Sequence, residues 1–577
     1  MKNTNPIFSL KNFRSFGEEG ADFELAPITV LTGCNSAGKS SLVKALLLLS
    51  HVTEKKENDF LLEPFHSTVI NDVRADDLLV SAKELCLGNY GKIINRNSKD
   101  GLIELSYTVW SPSLKETVGV TRIYKEDPDD TLQNGQLVGL YIKKVDGTLI
   151  YGKGIGISNS YSQLISEDEC FNRDCIQDAI SRLDVLSEYF SKREKLDNAK
   201  RRLETFKRRV EKFEGNSEVL QREQNSYDKA ELEFNEAKKK IEESSISQEE
   251  FKRIEKVYLV DRGDISIAEM AKLEEVYLAD PEWGCSNECL KTIWRWVANV
   301  KSNTVFPGDF GLKDWGYSIS DKEFLNILAE EALNPTFAKD VKYINSSSAI
   351  INRLYLVEGD DKLNVALKLF LQRKKSFRNG RPDMPGVERI FPGQFISRWI
   401  KKFGIGDKVK IVGTDEGLGV MVYLYKNGEK SLLADEGYGI TQLFSLLLHI
   451  DNMMLENGRT YNICIEEPEV HLHPKYQSML ADLFVEAYQK YNIHFIIETH
   501  SEYLIRKLQV MVANKEIALT PGDVSLNYVE KDENGVSTNR KIEIQDDGRL
   551  SGCFGTGFFD EADNRAMELL HLKATQK

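Results

Sequence analysis

Three short apolar runs, each stopped by polar or glycine-rich residues, organise this chain. Ile28-Thr29-Val30-Leu31 runs into Gly33 and is followed, after a polar loop, by Leu42, Val43, Ala45, Leu46 and Leu47 at helical spacing. Ile463-Cys464-Ile465 ends in the paired acids Glu466 and Glu467. Phe495-Ile496-Ile497 ends in Glu498-Thr499-His500. A helix is predicted between these last two runs, from Tyr476 to Tyr488, and another before them, from Leu443 to Ile450. Strands alternating with helices in this way predict an α/β fold.

Between about 110 and 390 the rhythm changes. Leu196, Ala199, Leu203, Phe206, Val210 and Phe213 repeat at alternating spacings of three and four, which is a heptad seam. Gly215-Asn216-Ser217 supplies a turn, and Tyr227, Ala230, Phe234, Ala237 and Ile241 repeat the rhythm on the way back. A short antiparallel coiled coil is therefore predicted over about 186–245. The outgoing arm, Lys192 to Phe213, has ten basic and four acidic residues, and the return arm, Glu218 to Glu243, has five basic and eight acidic. Complementary arms stabilise an antiparallel pair through flanking ion pairs. The same basic arm also offers Arg201, Arg202, Lys207, Arg208 and Arg209 to phosphates or to an acidic partner protein.

Composition narrows the class. At 577 residues the chain is too long for one ordinary core, and 41% apolar with 29% charged residues is a globular balance. No run approaches the ~20 uncharged apolar residues of a membrane span, and Met1 to Pro6 lacks the apolar segment of a signal peptide, so the expected location is the cytoplasm. The net charge of −14 does not advertise nucleic-acid binding, so any such contact must be local. The eight cysteines are scattered, and the Cys170/Cys175 and Cys285/Cys289 pairs have spacings that suit zinc poorly. The hairpin turn carries no Cys-x-x-Cys, which excludes a zinc hook.

The chemistry lies at the ends of the apolar runs. Gly33-Cys34-Asn35-Ser36-Ala37-Gly38-Lys39-Ser40 has the spacing G-x-x-x-x-G-K-[ST] between a strand and a helix. Its glycines let backbone N–H groups close around phosphates at a helix N-terminus. Gly33, Asn35, Ser36, Ala37, Gly38, Lys39, Ser40 and Ser41 are thus the expected nucleotide cradle, with Lys39 reaching the β/γ-phosphates and Ser40 a Mg²⁺ ion. Of the paired acids, Glu466 suits the metal shell and Glu467 suits the attacking water. His500 can contact the γ-phosphate. Gly437, Gly439, Thr441 and Gln442, in Asp435 to Gln442, form a second phosphate-facing surface at a helix start.

The order of these motifs resembles the ATP-binding-cassette class of ATPases, in the branch that includes structural-maintenance and repair ATPases. The resemblance implies an α/β ABC-type ATPase head built from N- and C-terminal segments, about 1–110 and 391–510. A mostly helical insertion over 111–390 and a small C-terminal domain over 511–577 would complete the chain. It also implies ATP and Mg²⁺ as ligands, and a homodimer in which Gly437–Gln442 of one head faces Gly33–Ser40 of the other, with higher oligomers open. Gly-Tyr-Gly-Ile-Thr-Gln at 437–442 departs from the usual Leu-Ser-Gly-Gly-Gln, and Glu466 stands where aspartate is commonest.

Leu10 to Phe16, Asn35 to Ser41, Leu87 to Tyr90 and Glu467 to Pro474 are similar to prokaryotic predicted ATPases of the overcoming-lysogenization-defect-like group. Ile542 to Asp560 resembles a short uncharacterised C-terminal domain carried by one subset. This likeness implies a regulatory subunit of a bacterial anti-phage complex, of the Septu or retron-associated kind. Such a subunit would control a separately encoded nuclease, of the His-Asn-His type, and would meet nucleic acid through the complex. Two alternatives stay open. Leu354 to Asp361 imitates the opening of a Toprim nuclease with Glu358, Asp360 and Asp361, although only Thr414-Asp415-Glu416 approaches the Asp-x-Asp pair such a site needs. The other alternative is a DNA-repair ATPase with structural duties.

Overall fold

The structure, a computed structural model, describes residues 5–62, 78, 80, 87–127, 134–154, 163–166, 169–212, 217–248, 251–252, 255, 321–333, 335–339, 341–345, 352–356, 362–378, 392–414, 419–454, 460–555 and 558–575. Among these residues the strands form three sheets. The central one has the order Val341–Ile344, Tyr461–Glu466, Ile493–Glu498, Ile28–Gly33, Val524–Lys531, Ser537–Ile542. All neighbours are parallel except the last pair. Strand Ile28–Gly33 is buried along its whole length, the pattern of a strand covered on both faces.

Alternate side chains of this sheet feed two cores. Ile28, Val30, Ile463, Ile465, Phe495 and Ile497 pack with Leu443, Phe444, Leu480, Phe484 and Leu504 from the helices Tyr438–Met453, Pro474–Tyr491 and Glu502–Ala513. Leu31, Cys464, Ile496 and Val529 point the other way, into a core with Leu42, Val43 and Leu46 of the helix Lys39–Leu62. Period-two alternation therefore turns each apolar run into a wall between two helix layers.

That second core is closed by an eight-stranded antiparallel sheet. Its order is Ala21–Glu24, Ile7–Lys11, Leu102–Ser111, Glu116–Glu126, Gly135–Lys144, Leu149–Gly154, Glu169–Phe171, Gln163–Ser166. Phe8, Leu10, Ile103, Leu105, Val118 and Val120 face the core from it. Residue 110 lies inside the strand Leu102–Ser111, and the hairpin partners of that strand carry the sheet on to Phe171. A small sheet, with Gly419–Lys426 paired to Lys408–Gly413, Tyr355–Leu356 and Glu429–Leu432, rests on the helix side.

The helical hairpin comprises Arg173–Lys212 and Ser217–Glu243. Ala199, Leu203, Ala237 and Ile241 are buried along its seam, and Lys192–Glu233 and Lys240–Glu188 join the arms at 2.7 Å each. The segment 511–577 is knitted into the head, because its strands Val524–Lys531 and Ser537–Ile542 extend the central sheet. Glu358, Asp360 and Asp361, and with them Asp415 and Glu416, lie outside the described residues. No described helix is long and apolar enough to cross a membrane.

Candidate functional site

Parallel pairing brings the carboxyl ends of three strands to one edge. Glu466 is in register with Glu498, and Glu498 with Leu31, two residues before Gly33. In open α/β sheets this edge is where ligands bind. The loop at that edge needs its glycines: Gly33 has φ +136° and Gly38 φ +107°. A Cβ on Gly33 would stand 2.0 Å from the Val529 carbonyl oxygen, and one on Gly38 2.3 Å from Ser15 Oγ. Ser36, at φ +60°, also adopts the left-handed region, and Asn35 and Ser36 form an exposed rim. Ala37, Lys39 and Ser41 are buried. Lys39 Nζ donates to the Gly33 and Cys34 carbonyls at 3.2 and 2.9 Å. Burial lowers the Lys39 ammonium pKa, opposed by Glu498, Glu467 and Glu469.

The acids surround that lysine. Glu498 is 7% exposed, accepts a hydrogen bond from the Ser40 hydroxyl, and leaves Oε2 buried without a partner. Burial pushes its pKa upward, and Glu466 and Glu467 push the same way, against Ser40 and Lys39. Glu466 is hydrogen-bonded to the Tyr343 hydroxyl, while its Oε1 is a second buried oxygen without a partner. Two cations from other elements, Arg14 and Lys44, face these carboxylates, and both are lowered chiefly by burial.

Glu467 sits at φ +48°, a strained conformation for a non-glycine residue. Its N–H donates to the Glu498 carbonyl at 2.7 Å, and its own carbonyl accepts from Gln442 Nε2 at 3.3 Å. His500 lies close enough to Lys39 and Glu467 to feel both charges; burial and Lys39 lower its pKa. Its backbone N–H is held by buried Glu469 Oε1 at 2.7 Å.

The second predicted surface divides. Gly437 is open on its Cα side, and Gln442 reaches Glu467. Gly439 and Thr441 turn inward: a Cβ on Gly439 would meet the His471 carbonyl at 2.5 Å, and Thr441 is fully buried.

Sequence reasoning assigned no role to Glu498, Arg14, Lys44, Glu469 or Tyr343. Glu498 had a visible signal, since it ends an apolar strand just as Glu466 does. Ser537 was also missed. Its N–H donates to the Ser15 carbonyl at 2.9 Å and its hydroxyl to the Ala37 carbonyl. Tyr528 touches the loop as well, hydrogen-bonded to Cys34, and its hydroxyl accepts from the Gly555 N–H. Among the described residues no group of three or more His, Cys, Asp or Glu is arranged to hold a metal.

Residues 7–505 match the AAA ATPase domain family. The chain belongs to that family. In this AAA ATPase, residues 519–569 match a second family, described as a protein of unknown function (DUF3696). That segment holds the two C-terminal strands and the cluster of Phe554, Phe558 and Phe559 around Tyr528. No curated protein matches the sequence.

Solved structures similar to this AAA ATPase include an Smc head domain with an extended coiled coil bound to the C-terminal domain of ScpA, from Pyrococcus furiosus, at 12% identity over 100% of both chains with TM-score 0.32. An SmcHead bound to the C-winged helix domain of ScpA is 9% identical over 93% of this chain and 98% of that one, with TM-score 0.39. The SMC head domain from Thermotoga maritima is 10% identical over 94% and 100%, with TM-score 0.33.

Proposed function

We propose that this AAA ATPase hydrolyses ATP as the regulatory subunit of an anti-phage complex, dimerising through its heads and controlling a separately encoded nuclease. The observation that carries the hydrolytic reading is the convergence of Lys39, Ser40, Glu466, Glu467, Glu498 and His500 at one sheet edge. The loop amides around Gly33–Ser41 cradle the phosphates, and Lys39 exchanges two loop carbonyls for the β/γ-phosphates. The buried, unpartnered oxygen of Glu498, whose carboxylate accepts from the Ser40 hydroxyl, and that of Glu466 in register beside Glu498 offer an all-oxygen donor set that suits Mg²⁺. When bound there, the ion would neutralise charge developing on the transferred phosphoryl group. Glu467, fixed by Gln442 and by the Glu498 backbone, orients the attacking water, and His500 meets the γ-phosphate. The open helix start at Gly437 of a partner head would complete the site.

The defence setting and the nuclease partner rest on the resemblance of the loop, of Glu467 to Pro474 and of the C-terminal segment. The test is ATP turnover by the purified chain beside Lys39→Ala and Glu467→Gln, then affinity purification of the tagged chain with ATP and Mg²⁺. Turnover should fall by about 10²-fold or more in Glu467→Gln, with ATP retained and the dimer accumulating. Unchanged turnover in that variant refutes the assigned water-orienting role. A co-purifying subunit that cuts nucleic acid supports the regulatory reading, and cutting by the chain alone refutes it.

A further inference from the structure

The arms of the helical hairpin, Arg173–Lys212 and Ser217–Glu243, exchange charge at the stem, through Lys192–Glu233 and Lys240–Glu188. Further out the return arm bonds within itself, from Gln221 to Asn225, Gln224 to Asp228 and Tyr227 to Glu231. The cations of the outgoing arm are left over. Lys200, Arg201, Arg202, Lys207 and Arg208 are all exposed. The Arg201 carbonyl accepts from the Thr205 hydroxyl, but none of the five side chains has an ion pair, a hydrogen bond or a ring contact. Glu204 is the one acid among them. The cross-arm pairs set about residues 218–227 opposite, where Arg222 offsets one of the acids Glu218 and Glu223. The outer half of the hairpin is therefore positive on a chain whose net charge is −14.

These cations are also ordered. Lys200-Arg201 recurs as Lys207-Arg208 seven residues on, so two Lys-Arg pairs stand on one face about 10 Å apart along the helix. In coiled coils such flanking positions ordinarily pair across to the other helix, and here they do not. The apolar residues of the stretch are turned elsewhere: Leu203 is buried in the seam and Phe206 is half-buried. A protein interface centres on aromatic and apolar anchors and is poor in lysine, so this face suits a protein partner badly. A phosphate backbone asks only for cations along a line. A nucleic-acid duplex carries one negative charge per about 1.7 Å of its axis, so four unbonded cations over about 12 Å of helix can each find a phosphate.

We propose that the outer face of the hairpin, at Lys200, Arg201, Lys207 and Arg208, binds the phosphate backbone of duplex nucleic acid. Contacts of this kind position a duplex without reading its sequence. The chain then has its own hold on nucleic acid, in addition to any contact made through a partner subunit. The binding needs no bound nucleotide, so it stands or falls separately from the hydrolytic reading.

The test is fluorescence anisotropy of labelled duplex DNA, in two unrelated sequences, with the full chain free of ATP at salt from about 50 to 200 mM. The same titration is made with Lys200→Gln/Arg201→Gln/Lys207→Gln/Arg208→Gln, and separately with Lys200→Arg/Lys207→Arg. Both sequences should bind alike. The four glutamines should weaken binding about tenfold or more at low salt and make the slope of log affinity against log salt shallower by about 3 to 4. The two arginines should keep wild-type affinity and slope. Unlabelled duplex should displace the probe several-fold better than poly-glutamate of equal charge. Absence of binding at low salt overturns the proposal, as does wild-type affinity that ignores salt. A slope unchanged by the four glutamines, in protein with an unchanged melting temperature, also overturns it. Equal displacement by poly-glutamate overturns the nucleic-acid assignment in favour of an acidic protein.

Discussion

Ser537 is 500 residues from Ala37, yet its hydroxyl donates to the Ala37 carbonyl inside the phosphate loop. Replacing it by alanine removes one donor and leaves a buried carbonyl without it, which costs about 1–3 kcal/mol. If that energy holds the loop in its phosphate-binding shape, each 1 kcal/mol appears as a roughly fivefold loss of ATP affinity. The neighbouring Ser15→Ala is the matched comparison. Ser15 Oγ is a buried atom close to Gly38 but has no hydrogen-bond partner, so its removal relieves an unsatisfied group. Fluorescent-ATP titration and thermal melts of both variants make the comparison. We expect Ser537→Ala to bind at least about fivefold more weakly and Ser15→Ala to match wild type or exceed it. Equal affinity in the two variants, with equal melting temperatures, would refute the claim that the C-terminal strand pair supports the loop.

Three further outcomes follow from the same geometry. Glu469→Gln keeps the side-chain length but weakens the acceptor for the His500 N–H; ATP turnover should fall several-fold with nucleotide affinity little changed, read as kcat against KM. Asp451 is pushed up to about 6 by burial, against Arg373 and Gly393. Because its folded-state pKa lies above the unfolded value near 4, wild type loses stability as pH rises from about 4 to about 6, by up to ~3 kcal/mol from this group. Asp451→Asn should abolish that component, so the gap between variant and wild type in urea unfolding should shift in the variant's favour across this window; a constant gap would refute it. Leu203→Ala, at the buried hairpin seam, should cost about 2–5 kcal/mol locally. Limited proteolysis should then cut the hairpin faster while ATP affinity stays at the wild-type value.

What the sequence determined by itself was everything carried by near neighbours along the chain. The phosphate loop between Leu31 and Leu42, the strands ending at Glu466 and Glu498, and the heptad seam through Leu203 and Ile241 are local patterns. Hydrophobic period and glycine placement act within a few residues, so they can be read without a partner. The tertiary structure decided which strands lie side by side. A strand buried on both faces carries no mark of its neighbour, so nothing in Ile28–Gly33 announces Val524–Lys531 beside it or the Val529 carbonyl against Gly33. Register then set the chemistry. Pairing the two strands in register set Glu498 beside Glu466 and against Ser40; the run Phe495 to His500 marked Glu498 as a strand-end acid but not what it would face. The inward turn of Gly439 and Thr441 was decided in the same way. The His471 carbonyl, from a loop some thirty residues on, occupies the space where a side chain would have been.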